Sequence, residues 1–332
     1  MEDLETILLE EKKMKHSNLS YSIGALLYSP ASNDTIVQSI VDEKFEHPFS
    51  LALCLEDTIR DDLVDVAEEK LILSLTVLTQ KKLQKEFYLP KIFIRVREPQ
   101  QITKLVDKLG DALSILTGFI IPKFDLSNAD TYIKEVKDAN DTARSPIYIM
   151  PIFESPTMIP LVTRYETLYS LKAKLDSIKN LVLNIRVGGN DLCHSFGLRR
   201  HNNNTIYDIA PVNNILTDIV TVFGMDYVVS GPVWEYYNGD GWDTGLEREL
   251  ERDLLNGFVG KTVIHPNQIR IVNQALAVSK TDYEDACSIL NWNSSMDTLV
   301  LRSITSERMN EYKTHTNWAK RIILLHSIYG FK

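Results

Sequence analysis

The sequence of 332 residues has few cysteines, few glycines and no long apolar run. Its three cysteines lie far apart and form no C-x-x-C pair, which excludes a four-cysteine zinc site and an evident disulfide framework and favours a reducing cytoplasm. Cys54 and Cys193 have no histidine at a recognisable spacing, so we predict core thiols. No apolar run approaches the roughly 18 residues of a membrane span, and the polar, helical start predicts no signal peptide.

The chain also lacks a basic excess. Its 36 Lys and Arg against 45 Asp and Glu give a net charge of −9, which argues against a general nucleic-acid binder. Hydrophobic residues make up 44% and charged residues 24%, as in a soluble globular protein with a full-size core. The length accommodates one barrel of about 250 residues with additions.

What is present is a series of short apolar runs, each ending at Pro, Gly or a charged residue and each followed by an amphipathic stretch. The runs are continuous rather than alternating, as expected of strands buried on both faces of a parallel sheet. The predicted strands are Ile23–Tyr28, Ser50–Leu55, Lys91–Val96, Gly118–Ile121, Ile147–Phe153, Leu181–Val187, Asp226–Ser230 and Thr262–Ile264.

Eight strands alternating with helices predict an α/β fold of the (β/α)8 TIM-barrel type. The open doubly wound alternative lacks its G-x-G-x-x-G signature. We expect residues 1–278 to form the barrel, with an N-terminal helical lead-in over residues 1–20. Residues 279–332 are expected to form a C-terminal helical lid or appendix, with helices at Tyr283–Leu290 and Ser306–Ile328.

The predicted strand ends carry most of the residues with chemical potential. In TIM barrels the chemistry gathers at the C-terminal ends of the strands, so these side chains should meet at one mouth. The residues at those ends are Ser29, Glu56, Asp57, Arg95, Lys123, Glu154, Gly188, Gly189, Asn190, Asp191, Pro232 and His265.

Glu154 and Asp191 follow neighbouring predicted strands, where two carboxylates can hold one hard divalent cation. Mg²⁺ suits this arrangement because it keeps several waters and takes one or two protein carboxylates. The alternative is a pair of solvated or arginine-paired acids. The apolar IFESP context of Glu154 favours the metal, because an unpaired charge there would be expensive.

Arg95 ends the third predicted strand in the segment FIRVR. A planar, permanently charged guanidinium group at a barrel mouth is suited to bidentate hydrogen bonding with a substrate carboxylate or enolate oxygen. The alternative is an ion pair with Glu56 or Asp57, and both roles are compatible. His265, directly before Pro266, is predicted to fix its loop by hydrogen bonding rather than to act as a base.

Taken in order, the segments GALLYSPASND, SLALCLEDTI, FIRVR, GFIIPK, PIFESP, GGNDLCHSFG and GFVGKTVIHPNQI span about residues 22–328. This series resembles the citrate lyase β-subunit-like enzymes of the HpcH/HpaI aldolase superfamily. The departures from the better-known members are Cys54 in place of a frequent Asp, the missing Gly-rich C-terminal loop and the insertion RRHNNNTIYDI. These features resemble the carbon–carbon bond lyase branch associated with tellurite-resistance gene clusters.

The resemblance implies that Glu154 and Asp191 are Mg²⁺ ligands and that Arg95 binds and polarises the substrate. Glu56 and Asp57 would order waters or the arginine. A family lid acid, which acts as a base and sometimes comes from a neighbouring subunit, would correspond to Glu311. The expected substrate contacts are Arg95, Lys123, Gly188, Gly189, Asn190 and Pro232.

The sequence thus predicts a Mg²⁺-dependent carbon–carbon lyase, with Mn²⁺ as a substitute metal. It would act on a 2-oxo acid or an acyl thioester through a metal-stabilised enolate; a CoA thioester is compatible but not indicated. The expected ligand is a small carboxylate, and neither nucleic acid nor a membrane is an expected partner. The protein is expected to be cytoplasmic and homo-oligomeric, and the resemblance implies a trimer or hexamer.

Two other functions stay open at this point. One is a non-catalytic barrel that binds a metabolite with the metal and arginine but has lost the lid acid. The other is a phosphoryl enzyme of the phosphoenolpyruvate and pyruvate type, which would require Arg199, Arg200 and Lys123 to face the mouth as a phosphate site.

Overall fold

A computed structural model describes residues 16–292 and 298–332, and its main feature is a sheet of eight parallel strands. The strands are β1 Ala25–Pro30, β2 Ser50–Cys54, β3 Lys91–Arg95, β4 Leu116–Ile121, β5 Tyr148–Phe153, β6 Ile185–Val187, β7 Val229–Ser230 and β8 Lys261–Val263. Their hydrogen-bonded order is β7-β6-β5-β4-β3-β2-β1-β8. A parallel bridge between Gly231 and Lys261 brings β7 beside β8, so the sheet is nearly closed and the predicted TIM barrel is confirmed.

The strand bounds differ from the predicted ones where local backbone geometry intervenes. β1 begins at Ala25 rather than Ile23 because Gly24 has a φ of 55°, outside the extended region. β6 begins at Ile185 rather than Leu181, because residues Lys179–Leu181 form a 3₁₀ turn and Val182 makes only an isolated bridge to Ile149. Apolar runs do not reveal such turns, since both conformations bury the same side chains.

Helices connect successive strands and cover the outside of the barrel. They are α1 Ile36–Val41, α2 Val64–Gln84, α3 Gln101–Leu109, α4 Ala129–Thr142, α5 Leu161–Asp176, α6 Gly189–Ser195, α7 Ala210–Phe223, α8 Trp242–Leu255 and α9 Asn267–Leu276. In α7 the apolar residues Val212, Ile215, Leu216 and Ile219 recur at helical spacing and are buried. Among the described residues, every helix falls short of the length and apolarity that a membrane crossing requires.

The chain divides into two compact units, residues 23–271 and residues 1–22 with 272–332. In the described part of the second unit, α10 Lys280–Leu290, a hairpin of β9 Val300–Arg302 and β10 Met309–Glu311, and α11 Tyr312–Tyr329 follow one another. The predicted helix Ser306–Ile328 was therefore wrong at its start. Ser306 has a φ of 62°, and residues 309–311 pair antiparallel with β9.

The predicted boundary after residue 278 stays a prediction. Residues 1–15 of the expected lead-in lie outside the described residues, and residues 16–21 are helical.

A buried ionic network fixes α8 to the outside of β8. Lys261 is fully buried, and its Nζ lies 2.9 Å from Glu249 Oε1 and 2.7 Å from Asp253 Oδ2. Arg200 lies 3.2 Å from Glu249, and the Tyr207 hydroxyl donates to Asp253 at 2.6 Å. Two cations therefore balance two carboxylates, which satisfies charges that would be costly if left alone in the interior.

We predict that Lys261→Met lowers the free energy of unfolding by about 3–5 kcal/mol, because it leaves two buried carboxylates with one cation. Urea denaturation followed by circular dichroism measures the loss. The matched control is Arg60→Met, which breaks an exposed pair with Asp62 and should cost less than about 1 kcal/mol. Equal losses in the two variants would contradict a structural role for the network.

Candidate active site

Arg95 occupies the centre of the barrel mouth with its side chain almost entirely buried. Its Nη2 atom lies 2.6 Å from Glu56 Oε2, 3.0 Å from Asp57 Oδ2 and 3.4 Å from Glu154 Oε1. One guanidinium nitrogen thus brings together carboxylates that follow β2 and β5. The ion pair predicted as the alternative role of Arg95 is present, and the Arg95 Nε atom is buried without a hydrogen-bond partner among the described residues.

Lys123, in the turn after β4, contributes both its backbone and its side chain. Its N–H donates to Glu154 Oε1 at 3.0 Å, and its Nζ lies 2.6 Å from Glu56 and 3.3 Å from Asp57. Its φ of 48° places a non-glycine residue in the left-handed region, a conformation that costs energy and persists where the surroundings impose it. This backbone geometry aims the N–H at Glu154.

The pKa values of the two carboxylates after β2, Glu56 and Asp57, shift in opposite directions. Burial raises the pKa of Glu56 more than Arg95 lowers it. Burial also acts to raise the pKa of Asp57, but a hydrogen bond with Glu56 and the charges of Arg95 and Lys123 together lower it. At neutral pH Asp57 therefore retains its negative charge more strongly than Glu56 does.

Glu154 and Asp191 follow β5 and β6, which pair in the sheet, and the charge of Asp191 acts on Glu154. Gly188 donates its N–H to Phe153 O at 3.1 Å, and a Cβ added to Gly188 would lie 2.2 Å from Glu154 Oε2. Glycine is therefore required for Glu154 to occupy this position. Asp191 follows in the first turn of α6. Burial, reinforced by the charge of Asp191 and opposed by Arg95, raises the pKa of Glu154 to about 7.

These two residues fit a Mg²⁺ ion. In the described residues, Glu154 Oε2 and the Asp191 carboxylate oxygens accept no hydrogen bond, while Glu154 Oε1 is held by Lys123 and Arg95. Burial and, to a smaller extent, the charge of Asp191 raise the pKa of Glu154, and a cation held by the free oxygens of the two carboxylates would offset both effects. Within the described ranges, no cluster of three or more His, Cys, Asp or Glu side chains has metal-binding geometry, so the ion would keep several waters, as Mg²⁺ prefers.

The other residues expected to contact substrate, Gly188, Gly189, Asn190 and Pro232, follow the neighbouring strands β6 and β7. Gly189 is buried, and a Cβ there would approach Pro232 to 2.7 Å, so close packing alone requires this glycine. Asn190 is exposed between Gly189 and Asp191. Substrate contacts by Gly188, Gly189, Asn190 and Pro232 stay predictions.

Glu311 belongs to the other compact unit, where it ends β10 and precedes α11. Its Oε2 accepts a hydrogen bond from Thr314 Oγ1 at 2.8 Å, and its N–H donates to His315 Nδ1 at 2.9 Å. Its role as lid base stays a prediction. At the β8 end, His265 Nδ1 accepts from the Asn267 N–H at 3.2 Å, the loop contact expected of it.

In the part of the chain that the structure describes, the three cations required by the phosphoryl alternative are each paired with carboxylates. Arg200 is 3% exposed and is paired with Glu249, and Arg199 pairs with Glu235 at 3.1 Å. The Lys123 ammonium group forms ion pairs with Glu56 and Asp57. Cys54 and Cys193 are buried free thiols, as predicted.

Sequence reasoning missed two interior residues, Tyr28 on β1 and Arg186 on β6. Arg95 Cζ lies 5.9 Å from the centre of the Tyr28 ring, and Arg186 is 2% exposed. Tyr28 and Arg186 both lie within strands, whereas the predicted site residues lie at or after strand ends. A signal was present in the run LVLNIRV, where Asn184 and Arg186 are polar at the two-residue spacing that puts side chains on one face of a strand.

A family model described as C–C bond lyase of the TIM-barrel fold matches residues 17–331. No curated protein sequence matches the chain.

Among solved structures, the protein CitE from Mycobacterium tuberculosis in complex with magnesium, acetoacetate and coenzyme A has a TM-score of 0.61 at 15% identity, covering 92% of this chain and 98% of that one. The citrate lyase β subunit from M. tuberculosis complexed with oxaloacetate and magnesium has a TM-score of 0.51 at 17% identity, covering 78% and 98%. Haloferax volcanii malate synthase at 3 mM glyoxylate has a TM-score of 0.59 at 12% identity, covering 77% and 75%. At these identities the likeness shows the fold.

The raised pKa of Glu154 makes stability depend on pH. Between its ordinary value of 4.5 and about 7, the unfolded chain has lost this proton while the folded protein keeps it. The free energy of unfolding of metal-free protein should therefore fall as pH rises through this window, by up to about 3 kcal/mol relative to Glu154→Gln. Urea denaturation in EDTA at pH 5, 6, 7 and 8 measures this difference.

Glu46→Gln, at an exposed position, serves as the control and should keep the wild-type pH profile. A constant difference between wild type and Glu154→Gln at all four pH values would show that the Glu154 pKa is not raised.

Proposed function

The chain belongs to the carbon–carbon bond lyase family of the TIM-barrel fold, and from this we propose that it is a Mg²⁺-dependent lyase that makes or breaks a bond next to the carbonyl of a 2-oxo acid or acyl thioester. The observation that supports the proposal is the arrangement of charged side chains at the barrel mouth. The Glu154–Asp191 pair has free oxygens and a raised Glu154 pKa, and it stands beside the buried Arg95 guanidinium. A Mg²⁺ ion held there would supply a Lewis acid.

Arg95 supplies fixed positive charge where the substrate becomes an enolate. Its guanidinium is already oriented by Glu56 and Asp57, so little reorganisation is needed when negative charge develops on the substrate. Glu56 and Asp57 also hold the Lys123 Nζ, which places a second cation at the rim. The mouth therefore binds a small carboxylate by preorganised electrostatics.

The remaining parts of the assignment come from the sequence resemblance. Glu311 is proposed as the base that moves the proton, as a lid residue of the same or a neighbouring subunit. Mn²⁺ is the proposed substitute metal, and a homo-oligomer in the cytoplasm is the proposed state. The CitE neighbour crystallised with coenzyme A makes an acyl-CoA substrate worth including among the probes.

We predict that Glu154→Gln and Asp191→Asn each weaken Mg²⁺ binding by about 100-fold or more, because each removes one of two protein ligands. Isothermal titration calorimetry measures the affinity. Asp243→Asn in the first turn of α8 is the control and should bind like wild type. Unchanged affinity in both site variants would reject the metal assignment.

Enolate formation is tested by deuterium exchange into the methyl groups of pyruvate and acetyl-CoA in D₂O with Mg²⁺, followed by NMR. The lyase proposal predicts exchange by wild type and a rate lower by about 100-fold in Arg95→Lys, because a point charge cannot replace the planar fork. Mg²⁺ should still bind to that variant, because lysine keeps the positive charge, and the exposed Arg60→Lys should exchange normally. Binding of either probe without exchange would favour the non-catalytic alternative.

A further inference from the structure

A second guanidinium lies inside the barrel. Arg186 on β6 donates from Nη2 to Thr262 Oγ1 on β8 at 2.6 Å, and β7 stands between these strands in the closed sheet, so the side chain crosses the interior. Within residues 16–292 and 298–332, no carboxylate lies within ion-pair distance of Arg186, and its Nη1 is buried without a hydrogen-bond partner. Arg186 is therefore a buried cation with no counter-charge of its own.

Tyr28 stands between Arg186 and Arg95. Its ring lies 5.9 Å from Arg95 Cζ, and its phenol group interacts electrostatically with both guanidinium groups and with Glu154. As a residue Tyr28 keeps some solvent exposure, unlike its β1 neighbours Leu26 and Leu27, although burial dominates the surroundings of its hydroxyl. Tyr28 therefore lies at the boundary between the mouth and the sealed core.

The chemistry of arginine determines what Tyr28 can do. A guanidinium has N–H donors and no acceptor, so the Tyr28 oxygen can only accept from Arg95 or Arg186. The phenolic hydrogen must find an acceptor elsewhere, and in the described part of the chain the Tyr28 hydroxyl donates to none. An O–H donor beside two cations is suited to an anionic ligand oxygen.

We propose that Tyr28 is a further catalytic residue, which donates its phenolic hydrogen bond to the ligand oxygen that becomes anionic as the enolate forms, and that Arg186 is a positioning residue that orients the phenol. This inference rests on the proposed function. Burial raises the pKa of Tyr28 more than Arg95 and Arg186 lower it, so the phenol keeps its hydrogen at neutral pH. A donor directed at developing charge stabilises the enolate more than the ground-state carbonyl.

The test compares two probes that differ in charge at one oxygen. Pyruvate has a neutral 2-oxo group where oxalate, a planar mimic of its enolate, carries an anionic oxygen. With saturating Mg²⁺, Tyr28→Phe should weaken oxalate binding by about tenfold or more and pyruvate binding by clearly less, as expected for a lost hydrogen bond to a charged group. Calorimetry measures both, with titrations of Mg²⁺ and probe in buffer subtracted.

Tyr165→Phe, which removes a phenol oxygen on the exposed side of α5, is the matched control and should bind both probes like wild type. Mg²⁺ affinity without probe should be unchanged in Tyr28→Phe. Wild-type oxalate affinity in Tyr28→Phe would overturn the role of Tyr28 while leaving the lyase proposal intact. A wild-type protein that binds Mg²⁺ but neither probe would overturn the proposed function and the Tyr28 assignment with it.

The positioning role of Arg186 is tested by a double-mutant cycle of Arg186→Met and Tyr28→Phe, with oxalate affinity as the readout. If Arg186 acts through Tyr28, Arg186→Met should weaken binding several-fold in wild type and by less than twofold in Tyr28→Phe. Additive effects would assign Arg186 a role independent of the phenol. Thermal unfolding by circular dichroism verifies that each variant is folded.

Discussion

The interaction on which the mouth of this barrel depends is the contact of one buried guanidinium with three carboxylates. Arg95 Nη2 reaches Glu56, Asp57 and Glu154 within 3.4 Å, which draws together the ends of strands that are not neighbours. Glu56 and Glu154 are buried and Asp57 is about half exposed, and without Arg95 these acids would repel one another. Arg95 therefore organises the site before any ligand arrives, and this preorganisation is what electrostatic catalysis requires.

The balance of charge in the mouth supports the proposed divalent cation. In the described part of the chain, Glu56, Asp57 and Glu154 contact two cations, Arg95 and Lys123, and Asp191 contacts neither of them. The uncompensated charge appears as the raised pKa of Glu154, to which burial and Asp191 both contribute. A Mg²⁺ ion between the free oxygens of Glu154 and Asp191 would offset it. Inside the barrel, Arg186 and Tyr28 would add a positive charge and a hydrogen-bond donor for the proposed anionic substrate.

Simple sequence patterns predicted the architecture and the meeting of Glu56, Asp57, Arg95, Lys123 and Glu154 at the mouth. Parallel strands buried on both faces leave continuous apolar runs, and the first polar residues after them, Glu154 and Asp191 among them, must lie at one edge. Local turns were not predictable in the same way: Gly24 shortens β1, and the hairpin before α11 replaces a predicted helical turn. Long side chains inside apolar runs were also missed. Arg186 points into the barrel, where it contacts Thr262, and Lys261 points to the outside, where it pairs with Glu249 of α8. The apolar runs alone do not distinguish these two positions.

The proposed magnesium site is tested most directly by a crystal structure of the protein grown with Mn²⁺ and oxalate, with anomalous diffraction measured to locate the metal. We expect one anomalous peak within bonding distance of an oxygen of Glu154 and an oxygen of Asp191, with waters and oxalate completing an octahedron and Arg95 directed at the oxalate. A mouth without an anomalous peak, or a metal bound elsewhere with Arg95 turned away from the cavity, would contradict the proposed site.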